Sequence, residues 1–278
     1  MRSSNPVLSR PDAFTPQQQN PQGYQQYGQP QGQYGYQQPG QPYPGQQYYP
    51  QDPVQATRGV MTIDDVITKS AITMGTVIAV AAITFMFMPA TLLLPAMIVS
   101  ALVGFVTVMI VAARRVINPG AVLAYAAIEG VFIGAVSKIY ESAWGGIVPA
   151  AVMATLVTAG ATLAVYKFFR IKVTSKFRKM VMIGTLAYAG VLLVNFILSM
   201  FGMGFLFSGG NLAFLLLISA IGVSLAVFNL ILDFDYIEQG IAMGAPASES
   251  WRGAFGLTVT MIWLYIEMLR LLSYFRSN

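Results

Sequence analysis

The side chains of this chain that could do chemistry are a few carboxylates and one arginine within strongly apolar sequence. The segment LAVFNLILDFDYIEQG, residues 225–240, begins as an apolar run and carries Asp233 and Asp235 near its end. Glu129 interrupts the apolar segment LAYAAIEGVFIG, and both Glu267 and Arg270 interrupt WLYIEMLRLL. Ionisable side chains inside a membrane are costly, and they usually face a bundle interior, a partner or a water path. The chemistry they offer is ion pairing, ion passage and proton exchange.

Helical spacing separates the two aspartates of this segment. Asp233 follows Asn229 by four residues and shares its helix face, whereas Asp235 lies about 200° further around the helix. We therefore predict that Asp233 points into the bundle below Asn229 and that Asp235 points to water or to a basic loop. A carboxylate is unfavourable at a helix C-terminus, where Asp233 is expected, and this favours a functional role for Asp233.

The deeper ionisable residues allow more than one interpretation. Glu267 and Arg270 are three residues apart on one helix face, so mutual neutralisation is one expectation. Glu129 has no local partner in the sequence, and three alternatives are open for it. It pairs with Arg270 across the bundle, it is a neutral carboxyl, or it takes part in ion passage.

Composition identifies the class of protein around these residues. The chain has 278 residues, of which 55% are hydrophobic and only 10% are charged, against about 25% charged in an average globular domain. So few charges cannot solvate a soluble domain, so we predict a multi-pass membrane protein with the lipid bilayer as its main partner. The chain has no cysteine and no histidine, which excludes disulfides, thiolate metal sites and imidazole chemistry.

The apolar runs predict an all-α integral membrane fold with seven spans. Residues 70–113 contain no charge, and this run is long enough for two helices separated near Pro89 and Pro95. Run lengths near 20 residues favour helices, in which every backbone polar group is satisfied internally. The predicted spans are residues 70–88, 91–113, 119–138, 146–167, 180–201, 211–233 and 254–275.

The distribution of lysine and arginine predicts the orientation. With a cytoplasmic N-terminus, the basic cluster KFFRIKVTSKFRK, residues 167–179, falls inside, and so do Arg114 and Arg115. Because cytoplasmic loops carry the excess of positive charge, we expect a cell-membrane protein with its N-terminus in the cytoplasm and its C-terminus outside. The cluster then serves topology and contacts anionic lipid headgroups, and nucleic acid is not an expected partner.

The N-terminal residues form a separate region, which we call the tail, residues 1–57. Residues 17–51 are Gln, Pro, Gly or Tyr at every position except Asn20. Such a sequence has too little aliphatic surface to offset its chain entropy, so we predict a disordered cytoplasmic tail followed by a transmembrane domain over residues 58–278. The alternative to a passive tether is a tail that recruits a membrane protease or other membrane proteins.

The segments YAAIEGVFIGAVSKIY, NLILDFDYIEQG and WLYIEMLRLLSYF resemble the transmembrane Bax inhibitor motif family, also called Bax inhibitor-1/YccA-like, in its bacterial branch. The resemblance covers about residues 58–276 and implies a seven-helix fold with the last helix central. It also implies a pH-sensitive calcium leak, closed on the cytoplasmic side by an aspartate of the sixth helix and another of the seventh.

Carried onto this chain, the resemblance places Asp233 on the sixth-helix aspartate. When Arg270 is aligned with the arginine of the family, Thr260 stands where the seventh-helix aspartate would be, and Glu267 lies two turns further on. The two-aspartate sensor is therefore incomplete here. Asp235, Glu129 and Glu267 are the candidates to substitute for the missing acid.

These expectations favour an ion leak gated by intramembrane carboxylates, with calcium as the transported ion and no other cofactor. Calcium prefers hard oxygen ligands, which Asp233 (a candidate calcium contact), Asn229 and backbone carbonyls can supply. The alternative is a non-conducting regulator or scaffold that acts on membrane proteases or stress-survival partners. An intramembrane enzyme is not expected, because an aspartyl protease would need a G-x-G-D motif and a rhomboid-type site would need histidine.

Overall fold

The computed structural model describes residues 59–169, 171–204 and 211–276. This part of the chain forms seven helices, each long and apolar enough to cross a membrane, which confirms the predicted all-α membrane fold. The predicted disorder of the tail lies outside the described residues. The helices are α1 (Ile63–Phe87), α2 (Ala90–Ala113), α3 (Pro119–Ala143), α4 (Ile147–Phe168), α5 (Ser175–Met200), α6 (Leu212–Ala242) and α7 (Glu249–Arg276).

Helix α1 begins seven residues before the predicted span, because its first turn is stabilised by polar groups. The Thr62 side chain caps the helix by accepting a hydrogen bond from the backbone N–H of Asp65. Asp64 and Asp65 complement the positive end of the helix dipole, and Lys69 pairs with Asp65 at 2.6 Å. Hydropathy alone therefore found the apolar part of α1 and missed its polar start.

Helix α6 corrects a prediction that matters for the candidate site. The predicted sixth span ended at Asp233, but α6 has 31 residues and continues nine residues further, to Ala242. At 1.5 Å per residue, Asp233 lies about 14 Å along the helix from that end. Asp233 is thus an intrahelical residue rather than a C-terminal interfacial acid. The unfavourable dipole contact expected for a C-terminal carboxylate does not apply to it.

Helix α7 is central, as expected from the resemblance. Within the described chain its backbone lies close to α1, α3, α4 and α6, whereas the backbone of α2 lies close only to α3 and that of α5 only to α6. The close contact of α1 with α3 depends on glycine, because a methyl group at Gly134 would lie 2.5 Å from the carbonyl oxygen of Ala81. Small residues of this kind let membrane helices approach closely.

Loop contacts define the two ends of the bundle. At the end that carries residue 59, which we call the amino-terminal face, the backbone N–H of Met61 donates to Ala245 O at 2.7 Å. At the opposite end, the carboxyl-terminal face, Lys138 Nζ donates to Met88 O at 2.8 Å and the Arg276 guanidinium donates to Gly145 O. Helix α6 runs from the carboxyl-terminal face to the amino-terminal face, and α7 returns.

Candidate functional site

Asp233 is held against the central helix α7. Its Oδ2 accepts a hydrogen bond of 2.6 Å from Thr260 Oγ1, and Thr260 is buried. On the preceding turn of α7, a methyl group at Gly256 would lie 3.0 Å from Asp233 Oδ1. The absence of a side chain at Gly256 therefore leaves room for the carboxylate beside α7. The resemblance placed Asp233 and Thr260 at the two positions of the family's aspartate pair, and in this structure they are hydrogen-bonded. A gating role for Asp233 stays a prediction.

Asn229 shares a helix with Asp233 but bonds in another direction. Its Nδ2 donates to Thr185 Oγ1 on α5 at 2.7 Å and to the carbonyl oxygen of Leu225 on its own helix at 2.8 Å. The side-chain amide thus connects α6 to α5, whereas Asp233 connects α6 to α7. Among the described residues, no hydrogen bond joins Asn229 to Asp233.

Asp235 belongs to a polar cluster nearer the amino-terminal face. It is only 7% exposed and accepts hydrogen bonds from Arg178 Nη2 at 2.8 Å and from Gln239 Nε2 at 2.7 Å. Arg178 lies within the basic cluster of residues 167–179, so of the two directions expected for Asp235, water or a basic loop, the structure shows the basic one. One turn on, Glu238 accepts a hydrogen bond of 2.6 Å from Tyr166 of α4. These hydrogen bonds compensate the carboxylates of Asp235 and Glu238, so α6 continues as a helix past both residues.

Glu267 lies at the centre of a second polar cluster, which we call the arginine cluster: Glu267, Arg270, Tyr188 and Trp263. Glu267 is fully buried, and Arg270 Nη1 donates to both of its oxygens at 3.1 Å. Tyr188 of α5 donates to Glu267 Oε1 at 2.9 Å, and Trp263 Nε1 donates to the same atom at 3.2 Å. This ion pair and these hydrogen bonds compensate the cost of burying the Glu267 carboxylate.

The structure does not join Glu129 to Arg270. Arg270 is bonded to Glu267 three residues earlier, as the neutralisation alternative predicted. Glu129 lies instead against α2, where its Oε1 is 2.7 Å from the position a methyl group at Gly104 would take. The pairing hypothesis failed because the sequence places Glu129 on α3 without showing which neighbouring helix its side chain faces.

Sequence reasoning missed Thr185 and Tyr188 of α5, and it included Arg178 only as a member of the basic cluster. Arg178, Thr185 and Tyr188 contact Asp235, Asn229 and Glu267 respectively. Their spacing of seven and three residues places them along one side of a helix. A polar stripe on the otherwise apolar α5 was therefore the available signal, although it does not identify the partners.

No calcium cage is built from acids alone in the residues that the structure describes. Within the described ranges, no group of three or more His, Cys, Asp or Glu side chains could hold a metal ion. The oxygens that the structure brings together at Asp233 are its carboxylate and the hydroxyl of Thr260. This arrangement suits transient contact better than tight binding, which in calcium sites takes six to eight oxygens.

Comparison with known proteins agrees with this architecture. A family model described as Bax inhibitor 1 like matches residues 5–277, nearly the whole chain. A search of curated proteins gave no match. The match covers the helices that carry Asp233, Thr260 and the arginine cluster, and it confirms the resemblance found in the sequence. This chain belongs to the Bax inhibitor 1 like family.

Proposed function

We propose that the protein is a pH-sensitive ion leak of the cell membrane, with calcium as the conducted ion and the contact between α6 and α7 at Asp233 as its gate. The proposal assigns the amino-terminal face to the cytoplasm, as the positive-inside rule requires. The gate then lies in the cytoplasmic half of the bundle, about 14 Å from the end of α6. Family membership supports a membrane protein of this kind.

The observation that carries the proposal is the hydrogen bond from Thr260 Oγ1 to Asp233 Oδ2. Ionised Asp233 accepts a charge-assisted bond from the hydroxyl, which is stronger than a bond between neutral groups. Protonation removes the ionic part of this contact, so the closed state loses stability as pH falls. A contact worth about 1.4 kcal/mol in one state alone shifts the ratio of open to closed protein about tenfold.

The experiment is calcium flux into proteoliposomes of the purified full chain, measured across pH. Wild type should conduct more at low pH than at high pH. Asp233→Asn removes the titrating group and should flatten this pH profile. Thr260→Val removes the hydroxyl with little change of volume and should raise flux at high pH, because the closed contact is lost.

Asp235→Asn is the matched control, because Asp235 bonds to Arg178 and Gln239 rather than to α7. It should retain more of the wild-type pH profile than Asp233→Asn. Unchanged profiles in both aspartate variants would refute gating by Asp233. A wild-type protein that passes no calcium at any pH would favour the non-conducting regulator or scaffold instead.

A further inference from the structure

A deep apolar groove opens between α1 and α4 on the side of the bundle. It has a volume of about 560 Å³ and is lined by residues of α1, α3, α4 and α7. The two helices at its edges do not pack against each other, although both are described along their whole length. Ile78 on α1 and Leu156 on α4 line it with more than half of their surfaces exposed, whereas Ile133 and Tyr265 line it with less than a tenth exposed. The groove therefore has an open edge and a buried floor.

The polar groups of the groove are already satisfied by the protein. Ser137 and Tyr265 share a hydrogen bond of 2.7 Å, Thr155 donates to Ala151 O, and Thr258 donates to the carbonyl oxygen of its own preceding turn. Water in a cavity requires polar partners, and the hydroxyl donors here are already used within the protein, apart from one of the two in the Ser137–Tyr265 pair. The lining thus favours an apolar occupant.

The length and position of the groove match one leaflet of a bilayer. Its α1 residues extend from Met74 to Met86, near the end of α1 at the carboxyl-terminal face. Twelve residues of helix rise about 18 Å, close to half of a hydrocarbon core about 30 Å thick. Since all four helices are candidate membrane spans, the medium at the open edge is lipid.

The ammonium group of Lys138 lies at the end of the groove nearest the carboxyl-terminal face. Lys138 directly follows the lining residue Ser137, and its ammonium group donates to Met88 O, two residues beyond the lining residue Met86. An ammonium group has three N–H donors, so this single bond leaves capacity for a second acceptor. The charge is complementary to a lipid phosphate at the depth where a headgroup would lie.

We propose that this groove binds one acyl chain of a phospholipid from the leaflet at the carboxyl-terminal face, with the lipid phosphate near Lys138. The lipid enters sideways through the open edge between α1 and α4. The bound acyl chain fills the space between α1 and α4 and packs against the residues of α7 that line the groove. This site is separate from the proposed gate at Asp233.

Photo-crosslinking in nanodiscs tests the site. Full-length protein is reconstituted with phosphatidylglycerol that carries a diazirine on one acyl chain, and the crosslinked residues are mapped by mass spectrometry. Crosslinks should concentrate on groove residues of α1 and α4 rather than on the lipid-facing residues of α2 and α5. Val152→Trp fills the groove and should reduce groove crosslinking about tenfold, which corresponds to about 1.4 kcal/mol of binding free energy.

Val157→Trp is the matched control, because Val157 lies on the same helix, is 64% exposed and does not line the groove. It should leave groove crosslinking unchanged. Lys138→Gln should weaken crosslinking by the phosphatidylglycerol probe but not by a diacylglycerol probe with the same chains. Groove crosslinking that Val152→Trp leaves intact would refute the proposal. So would disulfide crosslinking of two protein copies through cysteines at Ile78 and Leu156, since a second copy would then occupy the groove.

Discussion

Two carboxylates, Glu267 on α7 and Asp233 of α6 beside α7, differ in how many hydrogen bonds and opposite charges compensate them. Glu267 receives bonds from Arg270, Tyr188 and Trp263 and is neutralised by a cation on its own helix. Asp233 accepts a hydrogen bond from the hydroxyl of Thr260, and among the described residues no ion pair reaches it. A paired and bonded acid resists any change of protonation, whereas an acid held by one hydroxyl can change its charge at lower cost. The comparison gives the arginine cluster a structural role and supports the proposal that Asp233 is the residue that switches.

The largest effect should come from breaking the arginine cluster. Arg270→Leu leaves Glu267 buried without its cation, and we expect a loss of about 3–5 kcal/mol of stability. Thermal melting of the purified protein in detergent measures this loss. Glu129→Gln should cost much less, because Glu129 is not part of the cluster. Equal and negligible losses for the two variants would contradict the structural role of Arg270.

Adding a methyl group beside each acid sharpens the comparison. At Gly222 a methyl group would lie 2.6 Å from Glu267 Cδ, inside a fixed network, and at Gly256 it would lie 3.0 Å from Asp233 Oδ1, the end of a side chain. Gly222→Ala should destabilise the protein by about 1–3 kcal/mol through overpacking. Gly256→Ala should cost less stability and instead shift the pH profile of flux.

Gly190→Ala provides the control for both glycine variants. Gly190 lies in the interior of α5, and a methyl group there would meet nothing within 4 Å. Its change in melting temperature therefore reports the effect of helix propensity alone. If Gly222→Ala is no more destabilising than Gly190→Ala, the arginine cluster is not rigid and the contrast with Asp233 fails.

The orientation of the bundle decides which compartment the proposed gate closes. Single cysteines at Ser175 and Ser277 can be probed with a thiol reagent that does not cross membranes. Ser277→Cys should react in intact cells, and Ser175→Cys should react only after permeabilisation. External labelling of Ser175→Cys would reverse the topology and place Asp233 in the outer half of the membrane.

The smallest effect should follow from removal of the tail. Residues 17–51 carry no aliphatic side chain other than proline, so we expect deletion of residues 1–55 to remove little apolar surface that could pack against the helices. Melting temperature and any calcium flux should therefore stay at wild-type values, and this can be measured on the truncated protein in parallel with the full chain. A loss of detergent-stable folded protein would show that the tail contributes to folding.

Charge-free sequence was sufficient to predict the membrane helices, because lipid requires long apolar runs with satisfied backbones. It could not predict the end of α6, since the acids that lower the hydropathy of that segment are stabilised by Arg178 and Tyr166, which lie on other helices. An ion pair between distant residues leaves no trace in the hydropathy of either segment.

The candidate site, like the helix boundaries, could be predicted only in part. Helical spacing and family resemblance together placed Asp233 opposite Thr260. The partner of Glu267 on α5 was missed, because Tyr188 is 79 residues away in sequence and a tyrosine in an apolar helix does not specify a contact. The direction that Glu129 faces depends on how α2 packs against α3, and the strongly apolar sequence of α2 does not reveal this.

The short backbone connection at the amino-terminal face has a mechanical consequence. The chain segment at residues 59–61 pairs with the α6–α7 connection through Met61 N–H to Ala245 O and Ala247 N–H to Gly59 O. The tail joins the membrane domain at this segment. A force applied to the tail by a bound partner would therefore act on the connection that holds α6 and α7 side by side. Because these hydrogen bonds precede α1 in the chain, α6 and α7, which carry Asp233 and Thr260, would share such a load together with α1.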